Sequence, residues 1–271
     1  MSRQTSLIIL FACLFGCCTA QYLTQVAVKA ELPELPDFKP VSELPADIPT
    51  CEQSDININE CIKRSFQDMI PRLKNGIKEL NIPPMDPFII ARNNIEVRTG
   101  FAQGRVQVRN VRVFGISEGQ VQKVDFHLNG NKVRMGLVTQ MPRFYVEGNY
   151  KADMLINEVK MTPKGYFNVT MTDLLLTSDA EGELYERDGH TYLKLTKFNF
   201  DPDIGDMNIY ASNLVPDPAL NAVILDLVNQ YWPQVYKIMI PQTRNTWEPM
   251  FLQVTNLFFG AVPFDLMIKK N

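Results

Sequence analysis

Alternation of apolar and polar residues governs the middle of the chain, from about residue 95 to residue 214. Val106 and Val108, for example, alternate with polar neighbours, and this period of two is typical of β-strands. The dipeptides Asn129-Gly130 and Asp188-Gly189 favour the positive φ angles of tight hairpin turns. The pattern therefore predicts a long antiparallel meander. Because such a sheet usually buries one face, it needs an apolar partner elsewhere in the chain.

The alternation slips by one residue in the first of these strands. After Val106 and Val108, the apolar set resumes at Val111 and Val113. An extra residue in one strand produces this change of phase, so we expect a β-bulge near Asn110 that bends the strand.

The C-terminal part of the chain supplies the partner of the sheet. From Pro218 to Phe259 apolar residues recur at spacings of three and four, which predicts an amphipathic helix. One straight helix over this range would be roughly 63 Å long at 1.5 Å per residue. Pro233, Pro241 and Pro249 each remove a helical hydrogen bond, so we expect two or three helical segments.

The first twenty residues have the layout of a secretory signal peptide. Arg3 gives a positive start, residues 7–18 carry no charge, and Ala20 ends a stretch of small residues. An anchor retained in the membrane is the alternative, but it needs a longer apolar run. We expect residues 1–20 to be removed, which leaves a secreted chain that begins at Gln21 and has no stable membrane anchor.

A proline-rich stretch and a short helix follow in the mature chain. Five prolines lie between residues 31 and 50, so residues 21–50 are expected to be extended or disordered. Residues 51–271 then form the predicted folded domain. Its first helix begins after Asn57, with Glu60 as the second member of a capping box, and breaks near Pro71.

The five cysteines are reduced to two by removal of the signal peptide, namely Cys51 and Cys61. Two free thiols are the alternative, but an oxidising compartment favours a disulfide. Such a bond would tie the first turn of the helix to the preceding segment, and closing this loop stabilises a fold by about 3 kcal/mol.

Asn168 begins the one Asn-x-Ser/Thr pattern in the sequence, Asn168-Val169-Thr170. Secretion would expose this pattern to the glycosylation machinery. The pattern is short and unspecific, so Asn168 is a glycosylation candidate only.

Catalytic residues are scarce. The sequence has two histidines, His127 and His190, both expected to face solvent, and it has no G-x-S-x-G, H-E-x-x-H or Gly-rich phosphate motif. Asp179, Glu181 and Glu183 alternate on one strand face, which is more typical of a solvated edge than of a calcium site. The net charge of −3 argues against nucleic acid as a partner. We expect neither an enzyme nor a metal or other cofactor.

The order of these segments resembles the insect takeout and juvenile-hormone-binding protein family. The resemblance spans nearly all of the mature chain. It rests on the cysteine pair and on a set of short motifs, namely Leu44-Pro45, residues 82–87 (IPPMDP), residues 110–115 (NVRVFG), residues 182–189 (GELYERDG), residues 192–194 (YLK), Asn213-Leu214, Trp232 and residues 262–264 (VPF).

This resemblance implies an α+β fold with one elongated domain, in which a highly curved antiparallel sheet wraps around a long, proline-kinked C-terminal helix. The architecture is that of the TULIP lipid-transfer proteins, with an apolar tunnel between sheet and helix. The single cysteine pair is similar to the takeout branch and unlike hormone carriers with a second bridge. Juvenile hormone is therefore not implied as the ligand.

We accordingly predict a secreted carrier of a small hydrophobic ligand such as a terpenoid or fatty acid, found in haemolymph or a sensory-organ lumen and connected with feeding, chemosensation or circadian physiology. Two alternatives are an extracellular signalling or interaction protein with a filled core, and a secreted lipid-ester hydrolase. The predicted tunnel residues are Val106, Val108, Phe126, Leu128, Tyr231, Val235, Met239, Phe251, Val254 and Phe258.

Overall fold

The structure, a computed structural model, describes residues 27–30, 40–80, 82–98 and 102–270. For residues 27–30, 235, 238–243 and 245–247 it describes the backbone alone. The predicted signal peptide and most of the proline-rich stretch lie outside the described residues.

One antiparallel sheet of eight strands forms most of the described chain. Its main path runs β1-β3-β4-β6-β8-β9, while β5 and β7 each pair with β6, and β2 and β10 form a separate parallel pair. The strands are β1 Ala27–Ala30, β2 Cys51–Glu52, β3 Phe88–Arg98, β4 Ala102–Phe114, β5 Gln120–Asn129, β6 Lys132–Ile156, β7 Val159–Met161, β8 Lys164–Arg187, β9 His190–Ala211 and β10 Ile268–Lys269.

The predicted turns and bulge are present in this sheet. Asp188 and Gly189 have φ angles of 53° and 82° in the β8–β9 hairpin, as the dipeptide predicts. Asn110 has a φ of 50°, and the register between β4 and β6 shifts between Arg109 and Arg112. The bulge expected at this position is therefore confirmed, and it turns the strand as the sheet curves.

The first helix, α1, spans Ile58–Met69 and is followed by 3₁₀ turns at Ile70–Lys74 and Lys78–Leu80. The break expected near Pro71 is confirmed. The expected capping box is wrong, because the side chain of Asn57 makes no capping hydrogen bond.

The C-terminal helix, α2, runs without interruption from Pro218 to Ala261, and a short helix, α3, spans Phe264–Met267. The expectation of two or three segments is wrong, since the helix continues through all three interior prolines. Tertiary packing overrides this local penalty. Phe251 of α2, for example, packs against the rings of Phe198 and Phe200 at centroid distances of 6.0 and 4.7 Å.

Two asparagines of α2 pair with the free edge of β9, the last strand of the sheet. Asn229 accepts a hydrogen bond from the backbone N–H of Ile209 at 2.7 Å and donates one to its carbonyl at 2.9 Å. Asn256 makes the same two contacts with Leu195, at 2.7 and 2.9 Å. Each carboxamide thus forms the two hydrogen bonds that the backbone of a neighbouring strand would otherwise form with β9.

Helix α1 covers the edge of β5 in a similar way. The Asn59 side chain accepts from the N–H of Phe126 at 2.8 Å, and Gln67 accepts from the N–H of Val121 at 2.7 Å and donates to the carbonyl of Gly119. Because buried backbone groups need partners, these contacts allow the sheet edges to lie against helices.

The two faces of the sheet differ in what they contact. On the inner face, Leu174, Ile204 and Met207 are buried beside Trp232 and Tyr236 of α2. Residues that lie opposite each other on paired strands share a face. Val106 pairs with Ala152, Val108 pairs with Tyr150, and Tyr150 in turn pairs with Gly165. Val106 and Val108 therefore belong to the inner face. The alternate residues form the outer face.

The edge contacts of α2 can be tested with Asn256→Asp. The new carboxylate still accepts from the Leu195 N–H but has no proton for the Leu195 carbonyl, so the free energy of unfolding should fall by about 1–3 kcal/mol at neutral pH. Urea unfolding measures this change. Asn131→Asp, at an exposed site in the β5–β6 turn, is the matched control. An equal loss in both variants would contradict the proposed edge contact.

Candidate functional site

An apolar cavity of about 60 Å³ lies where α1, the C-terminal end of α2 and the inner face of the sheet meet. None of the described residues that line it has a charged side chain. The lining residues are Leu44, Ile48, Pro49, Cys51, Ile62, Ser65, Phe66, Met69, Leu80, Phe126, Val133, Met135, Leu193, Phe258, Phe259, Val262, Phe264, Met267 and Ile268.

Helix α1 forms one wall of the cavity through a single stripe of side chains. Ile62, Phe66 and Met69 lie at helical spacing and face the cavity together. Ser65 lines the same wall, but its hydroxyl donates to the carbonyls of Pro49 at 2.9 Å and Cys61 at 3.1 Å. The hydroxyl of Ser65 is thus already engaged with the backbone.

The segment before α1 also contributes to the wall of the cavity. Val41 and Ile48 are buried, and the Val41 N–H donates to the carbonyl of Ala261 at the end of α2. Leu44 and Pro49 reach the cavity itself.

A disulfide between Cys51 and Cys61 joins this segment to the first turn of α1, with 5.8 Å between the Cα atoms. Cys51 is also paired with Ile268 between β2 and β10. The bridge therefore fixes three parts of the cavity wall to one another: the lead-in, α1 and the C-terminus.

The C-terminal wall is attached to the β8–β9 hairpin. The Asp265 carboxylate accepts from the N–H of Thr191 at 3.2 Å and lies 3.3 Å from Nδ1 of His190. Arg187 donates to the Gly260 carbonyl at 2.8 Å. His190 contacts Asp265, and 38% of its side chain stays exposed. His127 is 70% exposed, as expected.

The apolar contact between α2 and the sheet continues beyond the cavity. Trp232 and Tyr236 lie against inner-face side chains that keep some exposure, among them Phe144 and Met171. Burial raises the pKa of Tyr236 to about 12, so the phenol stays neutral and donates to the Pro202 carbonyl at 3.3 Å.

The structure places the ten predicted tunnel residues at several points along the inner face and α2. Phe126 and Phe258 line the cavity, and Leu128 packs against the cluster around it. The other described side chains are half-buried elsewhere, namely Val106, Val108, Tyr231, Phe251 and Val254. The side chains of Val235 and Met239 lie outside the described ones. A shared tunnel for all ten remains a prediction.

Sequence reasoning missed several parts of the lining, among them the stripe of α1 and the residues after α2. The stripe of α1 was visible as helical periodicity, but nothing in that pattern says that it faces a cavity. Phe264, Met267 and Ile268 lie after the long helix, in a stretch too short to show a period.

A buried carboxylate lies on the outer face, opposite the glycosylation candidate Asn168. Glu147 is 13% exposed and accepts hydrogen bonds from Tyr166 at 2.6 Å and Tyr145 at 3.0 Å, and it pairs with Arg112. The hydrogen bond from Tyr166, with help from Tyr145 and Arg112, holds the pKa of Glu147 below its ordinary value of 4.5. The same contact raises the pKa of Tyr166. Glycosylation of the half-buried Asn168 stays a prediction.

Among the described residues, no three His, Cys, Asp or Glu side chains are grouped so as to hold a metal ion. None of the helices in the described part of the chain has the length and hydropathy of a membrane span.

The chain is similar to known proteins over most of its length. The sequence profile of the family described as haemolymph juvenile hormone binding protein matches residues 21–269. The circadian clock-controlled protein daywake of Drosophila melanogaster is 21% identical over 238 residues, which is 84% of this chain and 89% of that protein. A putative beta-carotene-binding protein of Schistocerca gregaria is 22% identical over 223 residues, 81% of this chain and 87% of that protein.

A solved structure has the same fold. The crystal structure of Takeout 1 from Epiphyas postvittana superimposes with a TM-score of 0.65 at 16% identity, covering 82% of this chain and all of that one. The expected α+β, TULIP-like architecture is therefore confirmed, with a curved antiparallel sheet and one long helix.

The Glu147 cluster gives a pH-dependent prediction. Its carboxylate stabilises the fold above its unfolded pKa, near 4.5, and this contribution is lost as the pH falls through the lowered folded pKa. Glu147→Gln should reduce the free energy of unfolding by about 1–3 kcal/mol at pH 7. The difference from the unmodified protein should shrink below pH 4.5, as measured by urea unfolding at several pH values. Glu181→Gln, which removes an exposed ion pair with Lys197, is the control and should have little effect.

Proposed function

The chain belongs to the haemolymph juvenile hormone binding protein family, and from this we propose that it is a secreted carrier of a small hydrophobic ligand. The observation that supports the proposal is the apolar cavity between α1, α2 and the sheet. Apolar burial is worth about 25 cal/mol per Å², so a ligand bound there would be held mainly by the hydrophobic effect.

The lining restricts the chemistry of the part of the ligand that enters the cavity. A charged group would lose its hydration there without gaining a partner, which is strongly unfavourable. We propose that the hydrocarbon end of a terpenoid, fatty acid or similar lipid occupies this space. Any carboxylate on the ligand would then lie outside it.

The small size of the cavity supports a ligand that extends beyond it. A volume of about 60 Å³ holds about two water molecules, whereas binding sites for small organic molecules are commonly about 300–1,000 Å³. The half-buried apolar side chains between α2 and the inner face continue from the cavity. We propose that the ligand extends along this contact and separates α2 from the sheet there.

The relatives support this class of ligand and suggest a physiology. The Schistocerca relative is named for binding beta-carotene, an extended hydrocarbon, and the Drosophila relative is named for control by the circadian clock. We propose extracellular transport in haemolymph or a sensory-organ lumen, connected with feeding, chemosensory or circadian physiology. The family is one of binding proteins, and we propose no catalytic activity.

The small volume of the cavity favours a second candidate function. An extracellular interaction protein would present its surface to a partner and need no ligand, and a nearly filled core fits that role. Extraction of the purified protein followed by mass spectrometry separates the two. A recovered terpenoid or lipid supports the carrier, whereas a ligand-free protein that binds no apolar probe supports the interaction protein.

Met69→Trp tests the location of the ligand. The larger ring would fill the cavity from the α1 side, so affinity for the fluorescent apolar probe N-phenyl-1-naphthylamine should fall at least tenfold. Leu175→Trp on the outer face is the control and should leave the affinity unchanged. Thermal unfolding of both variants shows that the protein is folded, because overpacking costs about 1–3 kcal/mol. Unchanged binding by a folded Met69→Trp protein would contradict the proposed site.

A further inference from the structure

Two pairs of like charges lie directly opposite one another on the outer face of the sheet. Arg92 of β3 is the cross-strand partner of Arg109 of β4, and Lys151 of β6 is the partner of Lys164 of β8. All four side chains are exposed. Like charges in this position destabilise a sheet. Their concentration stands out in a chain whose net charge is −3.

Three of these cations line an open groove of about 560 Å³. Arg109, Lys151 and Lys164 form it together with Gln107, Asn149 and Tyr166. The cross-strand pairing brings the two lysines to about 5 Å apart at their Cβ atoms, and Arg109 lies on the diagonal, roughly 7–8 Å from Lys151.

No neighbouring acid neutralises these charges. Within the described ranges, no carboxylate oxygen lies within 4 Å of a side-chain nitrogen of the four cations, whereas nearby Arg105, Arg112 and Lys160 each have an acidic partner. Glu147, two residues before Asn149 on the same face, is already engaged by Arg112 and two tyrosines. The groove therefore keeps its positive charge.

The guanidinium of Arg109 is held in one orientation. Its Nε donates to Oε1 of Gln107 at 2.7 Å, and Gln107 in turn donates to Oδ1 of Asn94 at 3.0 Å. This arrangement leaves the terminal nitrogens of Arg109 to donate elsewhere. A planar guanidinium beside two ammonium groups matches the geometry and charge of a phosphate or sulfate.

We propose that this groove is a binding site for a small oxyanion with about two negative charges, namely a phosphate or sulfate group. The anion would offset the repulsion between Lys151 and Lys164 and accept hydrogen bonds from Arg109. The site lies on the face of the sheet opposite the proposed hydrophobic ligand. The proposal of an anion site is therefore independent of the proposed carrier function.

Isothermal titration calorimetry with inorganic phosphate and with sulfate, at an ionic strength held constant with sodium chloride, tests the proposal. Both anions should bind the full chain, and K151Q/K164Q should weaken binding at least tenfold. K123Q/K237Q removes the same net charge from exposed sites elsewhere and should change affinity less than twofold. Absence of binding, or an equal loss in the control variant, would overturn the proposal.

Thermal unfolding gives a second readout. In low-salt buffer without phosphate, Lys151→Gln should raise the Tm because it removes the repulsion from Lys164. Added phosphate should raise the Tm of the unmodified protein more than that of the variant.

A third experiment measures binding of the protein to vesicles that contain phosphatidylglycerol. Binding to these vesicles without binding to free phosphate or sulfate would overturn the proposal and indicate a membrane surface instead.

Discussion

The pairing of helix carboxamides with the free edges of the sheet is the interaction on which the remaining structure depends. A strand edge exposes unpaired N–H and C=O groups, which cannot be buried against an apolar helix without partners. Asn59 and Gln67 supply these partners for β5, and Asn229 and Asn256 supply them for β9. The two helices therefore close the curved sheet from both edges, and the space between them becomes an enclosed interior.

This closure also determines where the cavity lies. The carboxamides fix α1 and α2 at set distances from the strand edges, so the helices cannot settle freely onto the inner face. Bulky residues such as Phe66 and Phe258 then meet across a gap that they do not fill. The disulfide holds the segment before α1 against the same gap, and the contacts of Asp265 hold the segment after α2 there. A packed interior is normally dense, so a gap supported by polar contacts on several sides is a feature of the architecture.

Much of the fold could be predicted from local sequence patterns, whereas the rest depends on contacts between residues far apart in the chain. Turn dipeptides such as Asp188-Gly189, the bulge at Asn110 and the break at Pro71 follow from residues adjacent in sequence, and each was predictable. The continuity of α2 through Pro241 and the contact of His190 with Asp265 depend on residues far apart in the chain, so neighbouring residues alone do not predict them. Periodicity likewise identifies the inner face of a strand but not which end of that face borders the cavity.

The same alternation that builds the sheet separates two chemistries on single strands. On β4, Val108 belongs to the inner face, while Gln107 and Arg109 on either side of it belong to the outer groove. Adjacent residues therefore contribute to an apolar interior and to a positively charged exterior without competing for space. A one-residue slip in register would exchange these faces and turn arginine and lysine toward the apolar inner face, where burial of an unpaired charge is strongly unfavourable. The charged outer residues thus disfavour the wrong register, and the apolar inner residues favour the right one.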